Sequence, residues 1–225
     1  LSFADGNDEI WIAEGTYTPG GSRDDSFTIT GDQDGLEIYG GFRGNETSRS
    51  ERDPVANETI LSGDLNGDDA DSDGDGIADQ NRGENSYHVL VFDGGNGIGP
   101  NVDADVTTAT VLAGVTVSGG NADGSNFDSQ GGGLYCDGQS AGNACTPTLT
   151  DVRFASNRAL GAGGAIYNDG ADGASSPVLT NAIFTDNRAS GGGGAIYNNG
   201  AGGVSSPVLT NAIFTGNQAS GSGGA

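Results

Sequence analysis

Gly163 to Gly192 reads GGAIYNDGADGASSPVLTNAIFTDNRASGG, and Gly193 to Ser222 reads GGAIYNNGAGGVSSPVLTNAIFTGNQASGS. Twenty-four of the 30 positions are identical, and a third copy opens at Gly223. A fixed period of this length means one structural unit stacked on copies of itself. The unit contains no stretch of 3.6-residue periodicity, and 43 glycines in the chain argue against helices. Short alternating runs broken by Gly, Asn, Pro and Asp read instead as strands and turns.

The repeat extends upstream of its two cleanest copies. Phe154, Phe184 and Phe214 share one register, as do Leu149, Leu179 and Leu209, and Asn157, Asn187 and Asn217. One unit earlier, Val111 to Val117 aligns with Val178 to Phe184, and the longer spacing to Phe154 indicates an insertion around Asn121 to Gln130. Farther upstream the period is lost. Strand-like segments persist at Ile10 to Ile12, Ser26 to Thr30, Leu36 to Phe42, Thr59 to Ser62 and Tyr87 to Phe92.

Side chains alternate along a strand, so Leu179, Ala182 and Phe184 point inward while Thr180, Ile183 and Thr185 point outward. Val152 and Phe154 follow the same phase. Ile166 points inward, with Ala165 and Tyr167 outward. The expectation is an all-β parallel β-helix with three short strands per coil of about 30 residues, identical residues stacking about 4.8 Å apart. The Phe and Leu stacks fill its core. The three asparagines form a turn ladder, because Asn tolerates left-handed backbone and its amide bonds to its neighbour. About seven coils at about 4.8 Å make a rod of roughly 35 Å. Residues 1–105 form irregular N-terminal coils with an acidic loop extruded at about 63–85, and residues 106–225 form the regular coils.

Units of the form GGAIYN…SPVLTNAIFTDN resemble the polymorphic outer-membrane protein repeat, which pairs a GGA-type strand with an FxxN strand. Phe154-Ala155-Ser156-Asn157, Phe184-Thr185-Asp186-Asn187 and Phe214-Thr215-Gly216-Asn217 carry the second element. Ile10 to Tyr17 and Ile38 to Phe42 resemble the first coils of pectin-lyase-like right-handed β-helices of secreted bacterial proteins. The resemblance implies a right-handed solenoid. It leaves activity open, because that fold hosts adhesins, autotransporter passengers and polysaccharide-cleaving enzymes.

The charges point outside the cell. Net charge is −23, from 24 Asp and 7 Glu against 8 Arg and no Lys. So acidic a chain has no basic patch for nucleic acid or anionic membrane. Excess Asp without Lys fits a salt-adapted or calcium-rich setting. Cys136 and Cys145 read as a local disulfide clipping an inserted turn in an oxidising compartment. Asn45 and Asn57 open N-glycosylation sequons. No apolar run is long enough to cross a membrane. The chain lacks an initiator Met and stops inside a repeat, as expected of a processed or truncated piece of a longer protein.

One chemical motif is dense. Asp71, Asp73, Asp75, Gly76, Ile77 and Asp79 read D-x-D-x-D-G-x-x-D. Calcium takes six to eight oxygens, which alternate carboxylates and the Ile77 carbonyl can supply, and Gly76 permits the sharp turn. The loop resembles those of dockerins, thrombospondin type-3 repeats and EF-hands. Arg82 stands where an EF-hand has a bidentate Glu, so Asp64, Asp68, Asp69 and Glu84 are the candidates to complete the shell. Carboxylates so close repel one another unless a cation joins them.

No catalytic residue is assigned. Asp151, Arg153, Asp186 and Arg188 would suit a sugar-cleaving face. However, Arg153 becomes Ile183, Asp186 becomes Gly216 and Arg188 becomes Gln218 one coil on. The expectation is a non-catalytic extracellular or cell-surface solenoid acting as stalk, fibre subunit or adhesin, stabilised by calcium. Its partners are further repeats or copies of itself, associating head to tail or laterally. Outward Ile183 and Ile213, and outward Tyr167 and Tyr197, offer stripes for such contacts. The alternative is a domain that binds or cleaves extracellular polysaccharide.

Overall fold

The structure is a computed structural model and describes residues 3–72, 78–95 and 104–224. Strands pair in parallel between coils, as a solenoid requires. The first sheet stacks six strands in the order Glu9–Ala13, Glu37–Phe42, Val111–Ala113, Thr148–Thr150, Val178–Thr180 and Val208–Thr210. The second begins at Gly15–Tyr17 and Thr59–Ser62 and ends at Ile183–Thr185 and Ile213–Thr215, again with six strands. The third has five, from Phe27–Thr30 through Leu90–Asp93, Leu134–Asp137 and Ile166–Asp169 to Ile196–Asn199. Corner ladders of two-residue strands join them, as at Arg158–Ala159 with Arg188–Ala189. Among the described residues six rungs, where about seven were expected, span about 24 Å from first to last at about 4.8 Å per step.

Registers follow the repeat. Leu112, Leu149, Leu179 and Leu209 are successive partners, as are Val117, Phe154, Phe184 and Phe214. The Phe154 and Phe184 rings stack at 5.3 Å and the Phe184 and Phe214 rings at 4.7 Å, nearly parallel in both cases. Leu112, Val117, Leu149, Phe154, Leu179 and Phe184 belong to one continuous core that runs from Ile29 to Ala195, whereas Leu209 and Phe214 on the last rung are exposed.

The asparagine ladder lies inside that core. Asn157 Nδ2 donates to Asn187 Oδ1 at 3.1 Å, and Asn187 Nδ2 donates to Asn217 Oδ1 at 2.9 Å. Each amide also reaches a backbone carbonyl of the preceding rung, at Val117, Phe154 and Phe184. Left-handed backbone is not the reason for Asn here. The positive φ falls on the residue before, Ser156 at 55°, Asp186 at 57° and Gly216 at 67°. Asn is required because its amide both donates and accepts along the stack and closes the turn's carbonyls.

Several expected orientations change. Ala165 is buried in the core together with Ile166. Tyr167 does leave the barrel, but it stacks between Tyr135 and Tyr197 at 5.5 and 5.4 Å and is only 9% exposed. The aromatic stripe is therefore a packed ladder, while Ile183 and Ile213 remain exposed. The disulfide joins Cys136 to Cys145, and both residues are core members, not parts of a protruding turn. In the next coil Asn168 and Ser175 take their places.

Candidate cation-binding site

Between Ser62 and Leu90 the chain leaves the barrel and returns, and this excursion carries the acidic motif. Asp64 shapes its base. Its carboxylate accepts from the backbone amides of Gly67 at 2.7 Å, Asp68 at 3.2 Å and Asp69 at 3.2 Å. An antiparallel bridge between Ala70 and Gln80 closes the neck of the tip. Beyond the neck, Asp79 accepts the Ser72 amide at 2.9 Å and the Ser72 hydroxyl at 2.6 Å, which holds its carboxyl below the usual range. Asp73, Asp75 and Ile77 lie outside the described residues, so of the five motif ligands only Asp71 and Asp79 are placed.

The carboxylates that converge lie below the neck. Oxygens of Asp64, Asp68 and Glu84 fall within 4.8 Å of one another. Two ligands of one calcium ion sit at most about 5 Å apart, because each is roughly 2.3–2.6 Å from the metal. Burial raises the Glu84 carboxyl first, and the charges of Asp68, Asp64 and Asp69 raise it further. Glu84 Oε1 and Asp69 Oδ1 are buried and have no hydrogen-bond partner among the described residues.

Arg82 explains the departure from the EF-hand pattern. It is buried, with NH1 3.6 Å from Asp69 Oδ2 and NH2 donating to the Gly120 carbonyl at 2.8 Å. Burial pushes its guanidinium downward, and Asp69 opposes that shift. Asn85 Nδ2 bridges Asp69 Oδ2 at 2.9 Å and the Gly119 carbonyl at 2.6 Å. Arg82 and Asn85 thus fasten the loop to the next coil, with Asp69 as their anion. Among the described residues Asp64, Asp68 and Glu84 form no salt bridge, and their convergence is a geometry suited to a hard divalent ion.

The other candidates do not assemble. Asp151 and Arg153 line a groove of about 650 Å³ with Glu58, Thr116 and Ile183. Glu58 there accepts the Thr116 hydroxyl at 2.9 Å, and Arg52 stands 4.0 Å from Asp151. Asp186 and Arg188 sit at a different corner beside Arg82 and Arg158. Of the two sequons, Asn45 is exposed. Asn57 is 4% exposed, accepts Arg43 Nε at 3.0 Å and donates to the Gly41 carbonyl at 3.2 Å, so its amide is already used and cannot carry a glycan in this fold.

A ladder not anticipated from the sequence lies outside the third sheet. Asp93, Asp137 and Asp169 are register partners on successive rungs, and all three are buried. Asn199 continues the row and donates to Asp169 Oδ1 at 3.0 Å, while the Tyr135 hydroxyl donates to Asp169 Oδ2 at 2.8 Å. Burial, with help from Asp93 and Asp169, pushes the Asp137 carboxyl up to about 6. The only sequence signal was the Asp169-to-Asn199 step within the repeat.

Among the described residues no helix is long and apolar enough to cross a membrane. No curated protein and no solved structure matches the chain. Residues 151–169 and 181–199 match the Chlamydia polymorphic membrane protein repeat, a family associated with the outer membrane and cell surface. Both matched stretches run from a second-sheet strand through the asparagine ladder to a third-sheet strand.

Proposed function

We propose that the chain is a non-catalytic extracellular or cell-surface solenoid, a rigid stalk or adhesive rod, whose acidic excursion is set by calcium. The observation that carries this reading is the parallel stacking of the strands in two six-stranded sheets and one five-stranded sheet, with Phe and Asn ladders through the last three rungs. Such a rod transmits position without moving parts. The surface association of the matched family agrees with it. Calcium would be held by Asp64, Asp68 and Glu84, with Asp71 and Asp79 on the adjoining tip. Bound there, the ion would offset the burial, and after it the repulsion, that raise the Glu84 carboxyl.

Thermal unfolding in calcium and in excess chelator tests the metal. At free calcium about 100 times Kd, the stabilisation is about 2.7 kcal/mol, or roughly 5–10 °C in midpoint for a chain of this size. Asp68→Asn with Glu84→Gln should abolish that difference. Equal midpoints with and without calcium would sink the calcium reading.

The groove at Glu58, Thr116, Asp151 and Arg153 favours a second reading, an extended polysaccharide lying across the second sheet. Glycan-array binding that is lost in Arg153→Ala would support it. Electron microscopy of purified material separates the two readings, with chelator-sensitive fibres on the stalk reading and dispersed, glycan-binding rods on the other.

A further inference from the structure

His88, the chain's single histidine, lies one residue from the Val89 amide that enters the third sheet, and it is buried. Its Nδ1 is 3.0 Å from the Gly131 carbonyl oxygen. A carbonyl oxygen only accepts, so Nδ1 carries the proton and Nε2 holds a lone pair. Nε2 is buried and has no hydrogen-bond partner among the described residues. Asp128 Oδ1 lies 3.9 Å from Nε2. Asp24 lines the same pocket of about 330 Å³.

We propose that His88 Nε2 and Asp128 bind a divalent transition-metal ion of the zinc class in the pocket that Asp24 also lines. Four features point to it. First, metal-binding imidazoles characteristically donate their other N–H to a backbone carbonyl or carboxylate, which fixes tautomer and ring direction, and the Gly131 contact does this. Second, a buried imidazole lone pair facing a carboxylate has nothing to accept from unless a cation or a proton donor lies between them. Third, ligands about 2.0–2.2 Å from a tetrahedral zinc lie about 3.4 Å apart, so the 3.9 Å gap closes with a small rotation of Asp128. Fourth, imidazole with carboxylate selects zinc, copper or nickel over calcium, which takes oxygen alone.

The neighbouring groups fit. Phe127 stacks on the imidazole at 5.2 Å, and Tyr135 packs at 5.6 Å, so the ring cannot swing away. Arg23, the adjacent cation, is directed elsewhere, to the Asn85 and Asn121 carbonyls and the Asp123 carboxylate. Asp25 is occupied by the Gly21 and Ser22 amides and serves its own turn. Asp24 belongs to the first coil's turn, His88 leads into the second coil's strand, and Asp128 sits in the third coil's insertion at Asn126–Ser129. An ion bound by His88 and Asp128 would tie the second coil to the third.

A single histidine makes the test unambiguous. Long-range proton–nitrogen NMR of the intact chain should show one imidazole in the Nδ1–H form. Adding zinc should move only Nε2, into the range of metal-bound nitrogen, with Nδ1 still protonated. Asp128→Asn keeps the ring packing and should weaken zinc binding at least tenfold, a loss of the size seen when partners of metal ligands are removed. Glu84→Gln should leave it unchanged, which separates this site from the calcium reading. An Nε2 that does not move in saturating zinc, whether zinc binds elsewhere or only water occupies the pocket, would overturn the proposal. So would an Nε2–H tautomer in the metal-free chain.

Discussion

The step from the fourth rung to the fifth takes 30 residues, Leu149 to Leu179, whereas the step from the second to the third takes 74, Ile38 to Leu112. Both steps pair the same first sheet in parallel register. The extra chain in the longer one is extruded at the corners, in the arm that holds Asn57 and in the acidic excursion after Ser62. Loop closure explains why the solenoid tolerates it. Lengthening a flexible connection from 30 to 74 residues costs only about 0.8 kcal/mol by chain-entropy scaling. A rung is fixed by its few paired residues, and what lies between rungs is free to vary. The regular coils therefore repeat one set of stacked contacts, and the irregular ones, which share the same core, also hold the convergent carboxylates and His88.

Breaking the regular coils should have the largest effect. Phe184→Ala removes the middle ring of the stack and should cost about 3–5 kcal/mol in urea unfolding. Phe214→Ala should cost much less, because Phe214 is 36% exposed on the last rung. Equal losses at the two positions would show that the stack does not act as a continuous core.

The outer Asp ladder should respond to pH. The folded Asp137 carboxyl lies at about 6, above its ordinary 3.8. Ionising it costs the folded state more than the unfolded one. That cost is absent below about pH 4, grows as pH rises, and is complete above about pH 6. A shift of about two pKa units corresponds to about 3 kcal/mol. Asp137→Asn, which keeps an acceptor for the Gln139 amide, should therefore stabilise the chain by up to about 3 kcal/mol at pH 7 and change little below pH 4. A pH-independent difference would assign the effect to packing, not charge.

The two asparagine rows give a smaller, sharper contrast. Asn187→Ala leaves the buried Phe154 carbonyl and the Asn157 amide without their partner and should cost about 2 kcal/mol. Asn181 bonds Asp151 and Asn211 in a ladder of the same spacing, but an exposed one. There the side-chain bonds compete with water, and Asn181→Gly, which keeps the left-handed backbone, should change stability by about 0.5 kcal/mol or less.

The repeat by itself determined the parallel stacking, the registers of Leu149, Leu179 and Leu209 and of the three phenylalanines, and the asparagine ladder. In a solenoid, sequence period and spatial period are the same quantity, so aligned residues must touch. It also marked strands where the period fails, because alternating apolar runs such as Ile10 to Ile12 and Leu36 to Phe42 are local signals. The period could not tell which of two adjacent polar residues takes the strained turn, and the left-handed residue is Asp186, not Asn187. Nor could it tell that Asn57 is buried, that Tyr167 is covered by its own ladder, or that the Cys136–Cys145 bridge lies in the core. Each of these depends on what a neighbouring coil places over the residue. The convergence of Asp64 and Asp68 with Glu84, and the facing of His88 toward Asp128 forty positions later, were decided only in three dimensions. They belong to excursions that no repeat constrains, and only the packing of those excursions onto neighbouring coils brings such groups together.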